Sequence, residues 1–154
     1  YPSPMYPDDR RLYPIYAYCE DHNIPVIIMS GGNAGPDMSY SFPVHTDRVA
    51  ADFPQLRIVI SHGGWPWVQQ ALHMAFRREN VYISPDMYLY QMPGMDEYLK
   101  AAGSFLSERF LYASCYPLAP VKDYADWFRK LPFSPEVMER LVHRNAAELL
   151  GVGL

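Results

Sequence analysis

Four short apolar runs, each broken off at a residue with usable chemistry, set the limits on what this chain can be. They are Ile24-Pro-Val-Ile-Ile-Met29, Ile58-Val-Ile-Ser-His62, Val81-Tyr-Ile-Ser-Pro-Asp86 and Arg109-Phe-Leu-Tyr-Ala-Ser-Cys115. Runs this short, bounded by turn residues, read as strands buried on both faces. Between them the apolar spacing changes from two to three and four. Asp8-Asp9 caps a helix to about Asn23 with Leu12, Ile15, Tyr16 and Cys19 on its inner face. Val44 to Phe53 presents Thr46, Val49, Ala50 and Phe53. Later stretches present Val68, Ala71, Leu72 and Ala75, then Met95, Tyr98, Leu99 and Ala102, then Val121, Tyr124, Ala125 and Phe128. Ser134-Pro135-Glu136 is a helix start, and a last short helix begins at Asn145. Strands that alternate with helices give a parallel sheet, so the class is α/β.

In such sheets ligands bind at the C-terminal ends of the strands. Those ends are Met29, His62, Asp86 and Cys115. Strand alternation puts Ile58, Ile60 and His62 on one face and Tyr82, Ser84 and Asp86 on another. The four end residues are expected to converge if those are the inward faces. Gly63 and Gly64 after His62 allow a tight exit, and Pro66 stands near the first turn of the next helix. His62 can serve as acid, base or ligand near neutral pH, or be a hydrogen-bonded core histidine. Asp86 either orients His62, acts as an acid, or holds loop amides, because a buried carboxylate must be paired. Cys115 reads as a small filler lining the site, and as a nucleophile only with a base beside it. The long loop from Ser30 to Pro43 faces the same end, and loops of this length often carry function. Ser30, Asn33, Trp65, Trp67 and Tyr88 are candidate substrate contacts in an aromatic, mostly apolar pocket for a small molecule. One of the two tryptophans is expected to pack under the helix entry instead. His45 follows the loop at the start of a helix, within possible reach of the pocket.

The chain has 154 residues, 49% of them hydrophobic and 19% charged, which suits one compact domain and excludes a disordered chain. A net charge of −4 without a basic stripe gives no footing for nucleic acid or an anionic membrane surface. No apolar run approaches the roughly 20 residues needed to cross a bilayer. Two cysteines on apolar or strand-end positions are expected as free thiols in a cytoplasmic protein. The chain begins with Tyr1 instead of Met, which suggests a cleaved product or a fragment of something longer.

The succession of these elements resembles the amidohydrolase-related family, which includes aminocarboxymuconate-semialdehyde decarboxylase and related aromatic-acid decarboxylases and lactone hydrolases. The resemblance is carried by Pro25-Val-Ile-Ile-Met29-Ser-Gly-Gly, Asp52-Phe-Pro-Gln-Leu-Arg-Ile-Val-Ile-Ser-His62-Gly-Gly, Glu79-Asn-Val-Tyr-Ile, Arg109-Phe-Leu-Tyr-Ala-Ser-Cys115-Tyr-Pro and Asn145-Ala-Ala-Glu-Leu-Leu-Gly. It implies a (β/α)8 TIM barrel, of which this chain is the second half: four parallel βα units and the C-terminal helices. The family's His-x-His pair at the end of strand one is not found; the histidines are at 22, 45, 62, 73 and 143. The family's metal-binding members carry a histidine at the end of strand five, where this chain has Met29, and an aspartate at the end of strand eight, where it has Cys115. The strand-six histidine, a general base or substrate polariser in the family, is His62.

Thioether and thiol do not suit a hydrolytic zinc site, so no metal or other cofactor is expected although family members often bind Zn. The resemblance then implies a metal-independent hydrolase of a small lactone, ester or carboxylic acid with His62 as base. Decarboxylation of a small aromatic or cyclic acid is the alternative, and a non-catalytic binding protein is the third reading. A half barrel leaves open strand edges, so pairing with a missing N-terminal half or with a second copy, or aggregation in isolation, is expected.

Overall fold

A computed structural model describes residues 5–32 and 35–153. A short turn at Arg10–Leu12 leads into α1 (Tyr13–Asp21) and then β1 (Val26–Met29). The next elements are α2 (Pro43–Asp52), β2 (Ile58–Ser61), α3 (Val68–Arg77), β3 (Val81–Ser84) and α4 (Met95–Ala102). The chain closes with α5 (Val121–Phe128), α6 (Pro135–Glu139), a π-helical turn at Arg140–Arg144, and α7 (Asn145–Leu150). The three strands form one parallel sheet in the order β1-β2-β3. Right-handed crossover is the rule for such units, and each crossover here carries a helix.

The register puts Ile27, Val59 and Tyr82 in one row across the sheet, with Met29, Ser61 and Ser84 two residues further on. Both rows belong to one face. The opposite face carries Ile28, Ile58, Ile60, Val81 and Ile83, which share the main core with α2, α3 and α4. Ile58, Ile60, Val81 and Ile83 are fully buried there, each burial worth about 1.5–3 kcal/mol. The expected inner face of β2 is therefore corrected: Ile58 and Ile60 meet the helices, and Val59 faces the barrel interior with Leu111, Leu149 and the edges of Tyr82 and Ala146.

The fourth expected strand is reduced to one parallel bridge, Ile83 to Phe110. Ile83 N–H donates to the Arg109 carbonyl at 2.9 Å and Leu111 N–H to the Ile83 carbonyl at 2.9 Å. The Tyr112 amide then donates to the Leu141 carbonyl, 3.0 Å away in the π-helical turn, which ends the ladder. Apolar content alone does not reveal that this amide has a helical partner.

The helix faces of α2 and α3 follow the spacing: Thr46, Val49, Ala50, Val68, Ala71, Leu72 and Ala75 are buried. In α1 the stripe is rotated. Tyr16 is buried and Tyr13 and Ala17 pack on the core, but Ile15 is 57% exposed. Val121, placed on the inner face of α5, is also exposed, while Tyr124 and Phe128 are buried. Ile27 and Met29, the inward residues of β1, are 73% and 41% exposed. Among the described residues, β1 is hydrogen-bonded to a strand on one side only, and its inner face is uncovered.

Candidate functional site

Three residues that follow β2, β3 and the Phe110 bridge have positive φ without being glycine: His62 at 60°, Asp86 at 48° and Cys115 at 58°. A left-handed residue breaks the period of two, so the His62 side chain leaves the phase of β2; before Asp86 the helical backbone of Pro85 has already broken the phase of β3. That is why His62 does not follow Ile58 and Ile60 into the helix layer. Such conformations cost on the order of 1–3 kcal/mol each and persist only where the surroundings hold them. Here they bring one ligand atom each from His62, Asp86 and Cys115 within 4.8 Å of one another.

Asp86 anchors the group. Its carboxylate Oδ2 accepts from the His62 backbone N–H at 3.0 Å and meets His62 Nδ1 at 2.7 Å. A hydrogen on Nδ1 satisfies that contact and leaves the Nε2 lone pair free. The second carboxylate oxygen, Oδ1, is buried with no hydrogen-bond partner, in a residue only 5% exposed. The Tyr124 hydroxyl donates to the Asp86 backbone carbonyl. Burial, then the Asp86 charge, push the Tyr124 hydroxyl well above its ordinary value, so it stays a donor. Burial, then the same carboxylate, raise the Cys115 thiol.

The turn after His62 is tight. A Cβ on Gly63 would lie 2.7 Å from the Tyr98 hydroxyl and 3.0 Å from the Pro85 Cα. That hydroxyl donates to the Gly63 carbonyl at 3.1 Å and ties α4 to the site turn. The His62 ring meets Tyr88 edge-on at 5.3 Å, and Tyr88 stacks on Trp65 at 5.2 Å. A Cβ on Gly32 would fall 2.2 Å from the Tyr88 hydroxyl, so the 30–43 loop closes on this aromatic pair only with glycine there. Burial first, then Asp86 and Cys115, raise the Tyr88 hydroxyl.

The other candidates fall outside this group in different ways. Trp67 lies edge-on to Phe42 at 5.1 Å, in the packing under the helix entry. Ser30 is buried and its hydroxyl donates to the Ser41 carbonyl at 3.1 Å, which pins the loop. Met29 stands at the end of β1 in the row of Ser61 and Ser84. Asn33 lies outside the described residues. His45 is turned away: its Nδ1 is 2.8 Å from Asp8 and its ring stacks on Tyr6. Sequence reasoning gives Tyr98 and Tyr124 as core residues only. A phenol at helical apolar spacing looks like packing, and nothing local shows where its hydroxyl ends.

The zinc positions that the resemblance implies hold a thioether at Met29 and a thiol at Cys115. A hydrolytic zinc centre of nitrogen and oxygen donors at those positions does not fit these residues. No helix among the described residues is long and apolar enough to cross a membrane.

Parallel βα units with a polar cluster at the strand ends have the architecture of α/β proteins that bind ligands at that end of the sheet. Residues 2–152 match the amidohydrolase family model, and the chain belongs to that family. It superposes on an uncharacterized TIM-barrel protein from Bordetella bronchiseptica with a TM-score of 0.94 and 57% identity, covering 96% of this chain and 53% of that one. Two more distant structures share the fold. A 2,6-dihydroxybenzoate decarboxylase from Rhizobium has a TM-score of 0.73 and 15% identity, covering 97% of this chain and 58% of that one. A 5-carboxyvanillate decarboxylase from Sphingomonas paucimobilis has 0.73 and 18%, covering 98% and 56%. The chain thus spans little more than half the length of these barrels. Among curated proteins, none matches.

Proposed function

We propose that this chain carries the acid–base half of a hydrolase for a small lactone or ester, with His62 as general base and Asp86 as its orienting carboxylate. The observation that carries the reading is the 2.7 Å contact between His62 Nδ1 and Asp86 Oδ2. It fixes the ring and favours the tautomer in which Nε2 is free to take a proton. Nε2 takes a proton from water as the oxygen attacks the substrate carbonyl. The imidazolium formed faces the Asp86 carboxylate, and its proton then passes to the departing alkoxide. One water is consumed, and an acid and an alcohol result; from a lactone both are in one molecule. Trp65 and Tyr88 form an apolar wall beside the base. The Tyr88 hydroxyl lies against Gly32, and the Tyr88 ring and the imidazole meet in a T-shaped contact.

Decarboxylation of a small aromatic acid is the second reading, and the stacked Trp65–Tyr88 pair favours it. There the His62 imidazolium would protonate the ring carbon as CO2 departs. The test is an assay of the intact protein on a panel of small lactones, esters and aromatic acids, with acid release and CO2 release followed separately. His62→Ala is expected to lower the hydrolytic rate by about 10²–10⁴-fold. A hydrolytic rate unchanged in that variant would sink the first reading, and CO2 release lost with His62 would establish the second.

Closure of the barrel beside β1 belongs to the same proposal, with a further segment or a second copy covering Ile27 and Met29. Light scattering of the isolated chain is expected to show self-association, and a stable monomer would oppose it.

A further inference from the structure

We propose that His62, Asp86 and Cys115 together form a binding site for a borderline-soft divalent cation, zinc in the first instance, and that occupancy silences His62 as a base. This set shares Cys115 with the positions that the family resemblance points to, but replaces Met29 by His62 and Asp86. The regulatory consequence rests on the hydrolytic reading above; the cation site itself does not.

Geometry is the first support. One ligand atom from each residue lies within 4.8 Å of the other two. A triangle of that size has a point within about 2.8 Å of all three corners, and zinc bonds of about 2.0–2.3 Å need only a modest contraction. A catalytic relay would look different, with the imidazole standing between carboxylate and thiol. Here carboxylate and thiol are themselves within that distance, so one cation can reach an atom of each residue.

The second support is the Asp86 Oδ1 atom, buried and without a partner. A carboxylate oxygen held away from water without a donor is unfavourable, and a cation bound at Oδ1 would relieve it. The third is donor chemistry. Imidazole nitrogen, carboxylate oxygen and thiolate sulfur all belong to zinc's repertoire, while calcium and magnesium want oxygen alone. The fourth is the backbone, since all three residues are held left-handed at the same end of the sheet. Cys115 loses its thiol proton to solvent on binding. The imidazole stays neutral: whichever ring nitrogen binds the cation, the other carries the hydrogen. No free lone pair then remains for water.

The test uses the intact protein, stripped with a chelator, titrated with zinc and measured by inductively coupled plasma mass spectrometry after desalting. One zinc per chain is expected. Cys115→Ser should weaken zinc by at least roughly 100-fold, since even outer-shell partners are worth about 10–100-fold in affinity. Cobalt in place of zinc should give a thiolate-to-metal charge-transfer band that Cys115→Ser abolishes. Circular dichroism of Cys115→Ser and Cys115→Ala checks that they fold. A folded wild-type protein without stoichiometric zinc, or zinc retained at full affinity by both variants, would overturn the site. Zinc bound with hydrolysis undiminished would overturn the silencing of His62 and leave the cation site standing. No zinc, with hydrolysis lost in His62→Ala, would overturn the site and leave the base standing.

Discussion

The two ends of this sheet are built on opposite terms. At the N-terminal ends, polar side chains satisfy backbone carbonyls. Asn80 Nδ2 reaches the carbonyls of Ala50, Phe53 and Leu56 at 3.2, 2.9 and 3.0 Å. The Arg109 guanidinium donates to Ala75, Val81 and Arg78 within 2.9 Å, and Asn145 donates to Ser107 and Phe110 at 2.8 Å. Arg57 joins the carbonyls of Asn23 and Leu149. At the C-terminal ends polar capacity is left over: three left-handed residues, a carboxylate oxygen without a donor and a thiol beside it. In barrels one end of the strands carries stability and the other carries chemistry, and the division of polar groups in this chain follows the same line.

The sharpest way to test the division is to change one residue at each end. Asp86→Asn keeps the size of the side chain but no longer favours the His62 tautomer with Nε2 free. The hydrolytic rate is expected to fall by about 10³–10⁴-fold, as when an orienting aspartate is amidated in a serine-protease triad. Thermal melting checks that the fold survives. A rate within tenfold of the parent would show that Asp86 only holds the turn.

Arg109→Met is the counterpart at the other end. It leaves the carbonyls of Ala75, Arg78 and Val81 without their shared donor. The cost is expected to be about 3 kcal/mol, with hydrogen bonds to a charged group worth about 1.5–3 kcal/mol each and not additive. In a domain of this size that lowers the melting temperature by roughly 6–12 °C. An unchanged melting curve would mean that solvent replaces the guanidinium without loss.

How much of this division can be read without coordinates depends on the kind of pattern. The α/β class follows from apolar runs alternating with helical spacing, the barrel only from the family resemblance, and α2 and α3 bury the residues that spacing selects. The strand phase is another matter. Period two holds only while φ stays extended, and His62, Asp86 and Cys115 each leave it. The pairing of His62 with Asp86 crosses 24 positions, and no local signal records it. Asn80 precedes β3 and Arg109 opens the fourth apolar run, and neither reveals its role until the carbonyls it serves are seen. Ile15 sits at a core spacing and is exposed, because α1 presents Tyr13, Tyr16 and Ala17 instead.

Tyr124→Phe probes the seam between chemistry and stability. It removes the donor to the Asp86 carbonyl and nothing else of the side chain's bulk. Stability should fall by about 1 kcal/mol, the usual net worth of one hydrogen bond. The rate should fall less than in Asp86→Asn, because the carboxylate keeps its contacts with His62. A rate loss as large as in Asp86→Asn would place the carbonyl anchor inside the chemistry.

The smallest effect concerns charge away from the site. The Arg78 side chain, hydrogen-bonded to Asp47 at 2.8 Å, is the main cause that holds the Asp47 carboxyl below its ordinary value. A depressed folded value stabilises the protein above the unfolded value near 3.8 and loses that contribution as pH falls through the lower folded value. Between pH 5 and 8 this pair should therefore add no slope to stability. A partly exposed pair is worth about 1 kcal/mol or less, so Asp47→Asn should lower stability at pH 7 by that amount and by less at a pH below 3.8. Denaturant midpoints at the two pH values check it. An equal loss at both would show that Asp47 acts through packing and not through its charge, and the polar helix surface would then resemble the carbonyl-pinned end of the sheet more than an ion-paired one.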